Sequence, residues 1–213
     1  MENIGRFRTF VRSFTSLIEQ ARDDEERVLA EGKKLLSELV GHDDWLPDEF
    51  AQPSPERYRQ YLLYCDPMER FSVVSFVWGP GQTTPIHDHT VWGMVGVMRG
   101  VEQSEEFRLE PATGRLLAAG THRLARGGID LVSPRIGDIH RVSNALADSP
   151  SISIHVYGAN IGSVARSTYE PGTGHRKSFV SGYSSAVAPD SWDRLVKDCE
   201  VRASSLPRGS GAA

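Results

Sequence analysis

Cysteine and long apolar runs are both scarce in this sequence. Its 213 residues include two cysteines, Cys65 and Cys199, which lie far apart and lack the CxxC spacing of zinc or redox motifs. Free thiols of this kind are typical of a reducing compartment, so we expect a cytoplasmic protein. The longest apolar runs, such as 71–78, are too short to span a bilayer, and the first residues show no secretory pattern. We therefore predict no membrane partner.

An excess of basic residues is also absent. Lysine and arginine number 24 against 28 acidic residues, which gives a net charge of -4 and a pI of about 6.0. Proteins that bind a phosphate backbone normally carry a basic surface, so we predict no nucleic-acid partner. The length is enough for one domain with its own core and some decoration, and it leaves the oligomeric state open.

The first part of the chain has the periodicity of helices. Apolar residues recur at three- and four-residue intervals, which predicts amphipathic helices over 3–21 and 24–40. A loop rich in proline follows, and the Ser-Pro-Glu at 54–56 favours a short helix that carries residues 58–64.

From Phe71 onward the pattern changes to that of short strands. Runs of β-forming residues alternate with glycine, proline and aspartate turns over 71–78, 91–98, 101–109, 115–125, 130–133, 139–143 and 151–157. Short strands at this regular spacing predict a mainly β fold, either a double-sheet jelly roll or a small barrel. Residues 168–189 look extended and rich in loops, and a last helix is expected over about 191–204.

These elements predict one structural domain made of three segments. Residues 1–57 form a helical segment packed on the barrel, and residues 58–180 form the barrel itself. Residues 181–213 form a C-terminal extension with a short helix and a flexible tail.

Three histidines form the strongest functional signal. His87 and His89 are separated by one residue, and on a strand such residues project from the same face, roughly 7 Å apart at Cα. His140 can approach the same ion from another strand. No carboxylate follows His89 at three to five residues, only Gly93, so the predicted ligands are three neutral imidazoles. Asp88 is expected on the opposite face as a solvated or turn-bonding residue.

Three neutral ligands leave the charge of a divalent ion uncompensated, so the site should favour anionic ligands from outside the protein. One suitable chemistry is hydrolysis by a zinc-bound water. The other is non-haem iron that binds an anionic substrate and dioxygen side by side. The number of ligands alone does not choose between these metals.

Residues 151–157 alternate strictly between apolar and polar side chains. One face carries isoleucine and valine, and the other carries Ser153, His155 and Tyr157. The polar face could meet water, or it could face the lumen of a barrel. In the second case the serine orients the imidazole and the imidazole holds the phenol, which makes a relay. We expect His155 to tune the phenol's acidity by changing its own charge near neutral pH.

The glycines around the two histidine segments resemble the two motifs of cupin barrels. Together with the Ser-His-Tyr strand, they resemble the thiol dioxygenases of the cysteine dioxygenase family over roughly 58–171. The resemblance implies a cupin double-stranded β-helix (a jelly-roll barrel) with N-terminal α-helices, and Fe(2+) held by His87, His89 and His140. In that family the iron binds the substrate thiolate and O₂, and both oxygen atoms end on sulfur to give a sulfinate.

Three positions resemble the bacterial glutamine-type branch of that family, which includes 3-mercaptopropionate dioxygenases. Gln60 stands where the animal type has a carboxylate-binding arginine. Gly93 lies in the stretch where the animal type has a cysteine crosslinked to its tyrosine, so no crosslink to Tyr157 is expected. Arg166 matches an arginine that the branch uses near the substrate carboxylate, although a surface arginine in a glycine-rich loop would give the same pattern.

We therefore predict an iron(II)-dependent dioxygenase of a small thiol carboxylate, with 3-mercaptopropionate favoured over L-cysteine and O₂ as the second substrate. Ser153, His155 and Tyr157 are the expected catalytic residues, and Gln60, Arg166 and Tyr157 are the expected substrate contacts. Two alternatives are a zinc-dependent cupin hydrolase on the same histidines and a non-catalytic cupin that senses a metabolite.

Overall fold

The structure is a computed structural model, and it describes residues 3–185. Two helices open the chain, α1 over Ile4–Ala21 and α2 over Glu25–Val40, followed by a 3₁₀ turn over Asp48–Phe50. Asp24 caps α2 by accepting a hydrogen bond from the backbone N–H of Arg27 at 3.0 Å. Both predicted N-terminal helices are confirmed. No helix in the described part of the chain is both long and apolar enough to cross a membrane.

The rest of the described chain is built mostly of strands. They are β1 Arg59–Cys65, β2 Ser72–Trp78, β3 Ile86–His87, β4 Gly93–Arg99, β5 Val101–Leu109, β6 Leu116–Ala125, β7 Ile129–Val132, β8 Ile139–Asn144, β9 Ser151–Tyr157, β10 Arg166–Tyr169 and β11 Arg176–Phe179. Every predicted strand run is present, with ends that shift by two residues at most.

The short helix predicted over 58–64 is wrong, because these residues form β1. The strand pairs antiparallel with β2, so that Gln60 lies opposite Phe76. Its apolar and aromatic residues fit a helical stripe equally well, and the long-range pairing decides the outcome. Two further strands, β10 and β11, form where mostly loop was expected. The helix predicted over 191–204 lies outside the described residues.

The strands form two antiparallel sheets. The first has the order β1-β2-β9-β4-β7, and the second has the order β11-β10-β3-β8-β5-β6. The first sheet carries the helices on its outer side, where α2 contacts β4 and β7, and its inner side packs against the second sheet. This arrangement is the cupin double-stranded β-helix that the sequence predicted.

The first sheet buries both of its faces, and β2 and β9 are therefore buried at every position. On β9, Ile154 and Val156 pack toward the helices with Phe14 and Leu36. Tyr157 packs on the other side, among apolar residues between the two sheets. The polar face of β9 therefore lies inside the barrel and does not face solvent.

Candidate metal centre and substrate cavity

The three predicted ligands meet inside the barrel. His87 and His140 are direct cross-strand partners on β3 and β8, and His89 follows just beyond the end of β3. One ring nitrogen from each histidine lies within 4.8 Å of the other two, and the ring centroids are 4.8–4.9 Å apart. The sequence pattern placed His89 on the strand itself, and the structure places it in the segment that follows.

The second ring nitrogen of each histidine already has a partner. The Nδ1 of His87 lies 3.0 Å from the carbonyl oxygen of Pro85, and the Nδ1 of His89 lies 2.9 Å from Asp138 Oδ1. The Nδ1 of His140 lies 3.5 Å from a serine hydroxyl, which is a long contact. These partners leave the Nε2 atoms available to a metal, as is usual for metal-binding histidines.

Asp138 fixes the shape of the segment that carries His89. Its carboxylate accepts hydrogen bonds from the ring Nδ1–H and the backbone N–H of His89. It also accepts one from the backbone N–H of Thr90 at 2.9 Å. Thr90 has a φ of 61°, which is unfavourable for a β-branched residue and needs such support. Burial alone would raise the pKa of Asp138, but the hydrogen bonds from His89 and Thr90 outweigh it, and the pKa is lowered. The carboxyl group therefore stays ionised.

Two of the candidate ligands, His87 and His140, are held in the neutral form that metal binding requires. Burial, with the neighbouring His89 adding to it, lowers the pKa of His87 to about 3, and the same causes hold the pKa of His140 well below its ordinary value. The Nε2 of His89 is buried and makes no hydrogen bond with any described residue. A buried polar atom without a partner is costly, and a metal ion would satisfy it. The donor set therefore fits a metal.

The Ser-His-Tyr relay of β9 is formed. Ser153 Oγ lies 2.8 Å from His155 Nε2, and His155 Nδ1 lies 2.7 Å from the Tyr157 hydroxyl. All three side chains are buried, and the Tyr157 ring stacks on His89 at a centroid distance of 5.4 Å. The relay thus ends against the histidine cluster.

Burial keeps the imidazole and the phenol of the relay uncharged. It raises the pKa of Tyr157, against the opposing effect of Arg166, so the side chain remains a phenol. It also lowers the pKa of His155 well below its ordinary value, and the Phe76 ring covers the imidazole at 4.0 Å. The expectation that His155 changes charge near neutral pH is therefore wrong, because its surroundings are too apolar to solvate the imidazolium.

A cavity of about 430 Å³ leads to His87. Its wall includes Gln60, Phe76 and Arg166, together with residues of the segment 177–184. The two residues expected to bind the substrate carboxylate therefore face the same space as one of the candidate metal ligands.

Arg166 is a buried cation that meets no counterion among the described residues. Its side chain is 5% exposed, and within residues 3–185 no carboxylate forms an ion pair with it. One Nη donates to Ser181 Oγ at 2.7 Å, and the Cζ lies 4.8 Å from the centroid of the Phe179 ring. The Nε is buried and makes no hydrogen bond with a described residue. The surface arginine that the sequence also allowed is thus ruled out, and the buried charge calls for an anion.

Gln60 lies at the side of the cavity and holds the segment that follows β11. Its side-chain amide donates to the carbonyl oxygen of Gly182 at 2.6 Å, and its backbone N–H donates to Ser184 Oγ at 3.0 Å. The glutamine therefore contacts the C-terminal segment as well as the space expected to hold a substrate.

The family assignment follows from a direct comparison. The family model for cysteine dioxygenase type I matches residues 6–167, which is well over half of the chain. The chain belongs to the cysteine dioxygenase type I family.

Three solved structures with a similar fold have low sequence identity to this protein. A protein with a double-stranded β-helix domain from Klebsiella pneumoniae is 18% identical, over 64% of this chain and 97% of that one, with a TM-score of 0.43. A Thermus thermophilus protein is 20% identical, over 53% of this chain and 92% of that one, with a TM-score of 0.39. Oxalate oxidase bound to the substrate analogue glycolate is 17% identical, over 51% of this chain and 55% of that one, with a TM-score of 0.41. None of these bears on the chemistry of the site.

Gly93 lies against the ring of Tyr157, the tyrosine of the Ser-His-Tyr relay. It is the cross-strand partner of Tyr157, and a Cβ atom at this position would lie 2.8 Å from Tyr157 Cδ1. Only glycine fits so close to the ring, and position 93 offers no sulfur for a crosslink. Cys65, a free thiol of the described part, lies elsewhere on β1, where burial raises its pKa to about 11.

Two acidic residues of the site differ from what the sequence suggested. Asp88 is buried and accepts hydrogen bonds from the backbone N–H of Ser167 and the hydroxyl of Tyr169, both at 2.7 Å, so it is not solvated. It ties the histidine segment to β10. The role of Asp138 was missed altogether, although its place two residues before His140 was a usable signal for a residue that orients a ligand.

Proposed function

We propose that the protein is an iron(II)-dependent thiol dioxygenase that converts a small thiol carboxylate to its sulfinate. The observation that carries this proposal is the Arg166 cation, which is buried at the cavity that reaches His87 and has no ion-pair partner in the part of the chain that the structure describes. It gives the site a place for a carboxylate beside the candidate metal ligands. Membership of the cysteine dioxygenase type I family supplies the reaction class.

His87, His89 and His140 are the residues that would hold the iron. Ferrous iron bound there supplies the redox chemistry that joins both atoms of O₂ to the sulfur of a bound thiolate. The three imidazoles add no negative charge, so an anionic thiolate is a favourable partner for the site. Zinc would fit the same ligands, and the family assignment favours iron.

Arg166 and Gln60 would bind the carboxylate end of the substrate. The guanidinium can form a charge-assisted hydrogen bond through its unpaired Nε, which is stronger than a bond between neutral groups. Gln60 is already bonded to Gly182, and it would hold the cavity wall against the bound molecule. The substrate would thus be anchored at one end while its sulfur reaches the histidine cluster.

Ser153, His155 and Tyr157 would act as a neutral hydrogen-bonding unit. The phenol keeps its proton because burial raises its pKa, so it can donate a hydrogen bond without losing the proton to solvent. The 2.7 Å contact with His155 fixes the position of its oxygen. Tyr157 would therefore position the substrate at the cluster.

The lining of the cavity favours 3-mercaptopropionate over L-cysteine. Of the described residues that line it, none is acidic, whereas Arg57, Arg166 and Lys177 are basic. The ammonium group of cysteine would find no counterion there and would be repelled by the cations. A thiol carboxylate without an amino group avoids both costs.

We expect the iron-loaded protein to form a sulfinate from both thiols, with a higher kcat/KM for 3-mercaptopropionate. One unpaired ammonium group near cations should lower kcat/KM by about tenfold or more, which corresponds to roughly 1.4 kcal/mol. Chromatographic measurement of the two sulfinates over a range of thiol concentrations gives the ratio. A clear preference for cysteine would reverse this part of the proposal.

A further inference from the structure

The end of β11 and the residues just after it form one wall of the substrate cavity. We call residues 179–184 the cavity strap. All of them except Gly182 line the cavity, together with Arg166 and His87. The strap therefore faces the space proposed to hold the substrate, although it comes from the part of the chain that was expected to be mostly loop.

The strap is held on the barrel at two neighbouring residues. The carbonyl oxygen of Gly182 accepts a hydrogen bond from Gln60 Nε2 at 2.6 Å, and its backbone N–H donates to the carbonyl oxygen of Gly162 at 3.0 Å. The Tyr183 hydroxyl donates to Asn160 Oδ1 at 2.6 Å and accepts the backbone N–H of Gly162 at 2.9 Å. A Cβ atom at Gly162 would lie 2.3 Å from the Tyr183 ring, so the two segments fit closely. These contacts make the strap a fixed wall of the cavity.

Two residues of the strap hold the side chain of Arg166. Phe179 is the cross-strand partner of Arg166, and the arginine Cζ lies 4.8 Å from the centroid of its ring. One Nη donates a charge-assisted hydrogen bond to Ser181 Oγ at 2.7 Å. The ring contacts the face of the guanidinium and the hydroxyl contacts its edge, so the two together fix its orientation. The Nε has no partner among the described residues and is left to bind an anion.

We propose that Ser181 is a positioning residue for the substrate carboxylate and that it acts through Arg166. The proposal rests on the proposed function, in which Arg166 binds that carboxylate. Arginine has many rotamers, and ordering such a side chain during binding weakens the affinity. Because Ser181 and Phe179 already order the guanidinium in the free protein, a carboxylate meets a cation that is in place.

This role makes the strap part of substrate selection. A thiol that carries a carboxylate benefits from the ordered guanidinium, whereas a thiol without a carboxylate does not. Loss of the Ser181 hydroxyl should therefore weaken the binding of thiol carboxylates alone. A residue that only supported the shape of the cavity would affect both kinds of thiol.

The test is calorimetric titration of the full chain loaded with zinc. Ser181→Ala should raise the Kd of 3-mercaptopropionate about three- to tenfold, the usual effect of having to order one long side chain. The Kd of 2-mercaptoethanol should not change. Phe179→Leu removes the ring that covers the guanidinium, and it should show the same selective loss. Ser178→Ala changes an exposed serine of the same hairpin that does not line the cavity, and it should leave both Kd values unchanged.

A double variant shows whether Ser181 acts through Arg166. In iron-loaded protein, Ser181→Ala should raise KM for 3-mercaptopropionate and leave kcat within about twofold of the wild type, because only binding is affected. Added to Arg166→Gln, the same change should lower kcat/KM no further, because no guanidinium is left to hold. A further loss in that background would overturn the proposal.

Two results of the titration would also overturn it. One is an unchanged or lower Kd of 3-mercaptopropionate in Ser181→Ala, and the other is an equal loss for both thiols. The titration needs no turnover, so selective binding without oxygen uptake by the iron form would refute the dioxygenase assignment and leave the role of Ser181 standing. Failure of 3-mercaptopropionate to bind the wild type would overturn both.

Discussion

Arg166→Gln is expected to lower kcat/KM for 3-mercaptopropionate on the order of 10²- to 10³-fold while leaving the protein at least as stable as before. Removing one partner of a buried charge pair typically costs about 2–5 kcal/mol of binding. In the free protein, however, the guanidinium is buried and forms no ion pair with any residue of 3–185, so its removal relieves a desolvation cost. Steady-state kinetics and thermal unfolding of the same metal-loaded samples measure the two effects.

The control for this variant is the choice of thiol. A thiol without a carboxylate, such as 2-mercaptoethanol, cannot form an ion pair with Arg166. Its kcat/KM should therefore be low and the same for Arg166→Gln and for the wild type. Arg99→Gln removes an arginine that is paired with Asp43 outside the cavity, and it should leave kcat/KM for both thiols unchanged. An equal loss for every thiol would show that Arg166 supports the fold of the site and does not recognise the carboxylate.

Asp138→Asn is expected to weaken metal binding by about 10- to 100-fold, the usual effect of losing a carboxylate that orients a ligand histidine. The wild-type carboxylate accepts from the His89 ring and from two successive backbone N–H groups, including that of strained Thr90. An amide has one acceptor oxygen and no charge, so it satisfies fewer of these donors. Titration against a competing chelator gives the metal affinity.

A matched control exists elsewhere in the barrel. Asp130 contacts His122 Nε2 at 3.1 Å, which is the same kind of carboxylate–histidine pair outside the candidate site. Asp130→Asn should leave metal affinity within about twofold of the wild type, since surface changes of this kind are usually small. Equal metal affinities of Asp138→Asn and the wild type would show that Asp138 does not support metal binding by His89.

The parts of the fold and site that could be predicted from the sequence are those with short-range signals. Strict alternation over 151–157 predicted a strand, and it grouped Ser153, His155 and Tyr157 on one face. The His-x-His spacing and His140 predicted a shared metal site, and the three rings do converge. In the first case one strand decides which side chains share a face, and in the second the close spacing of His87 and His89 keeps two of the three ligands together while His140 comes from a second strand.

The parts that could not be predicted depend on contacts between distant residues. The β1 segment has a helical stripe, and it is a strand because β2 pairs with it in register. The backbone N–H of Gln60 donates a hydrogen bond to Ser184, which lies 124 residues later in the sequence. No local sequence pattern could therefore predict that the segment around Ser184 lies beside the cavity. The complete burial of Glu102 likewise depends on contacts between distant parts of the chain, and the residues that flank it in sequence give no signal of it.

The most direct test of the central claim is oxygen uptake by protein loaded with ferrous iron or with zinc. With 3-mercaptopropionate, the iron form should consume O₂ and place both atoms of isotopically labelled O₂ in the sulfinate product, whereas the zinc form should consume none. Full iron loading without oxygen uptake from any thiol carboxylate would contradict the account, and hydrolytic activity of the zinc form would then identify the histidine cluster as a hydrolase centre.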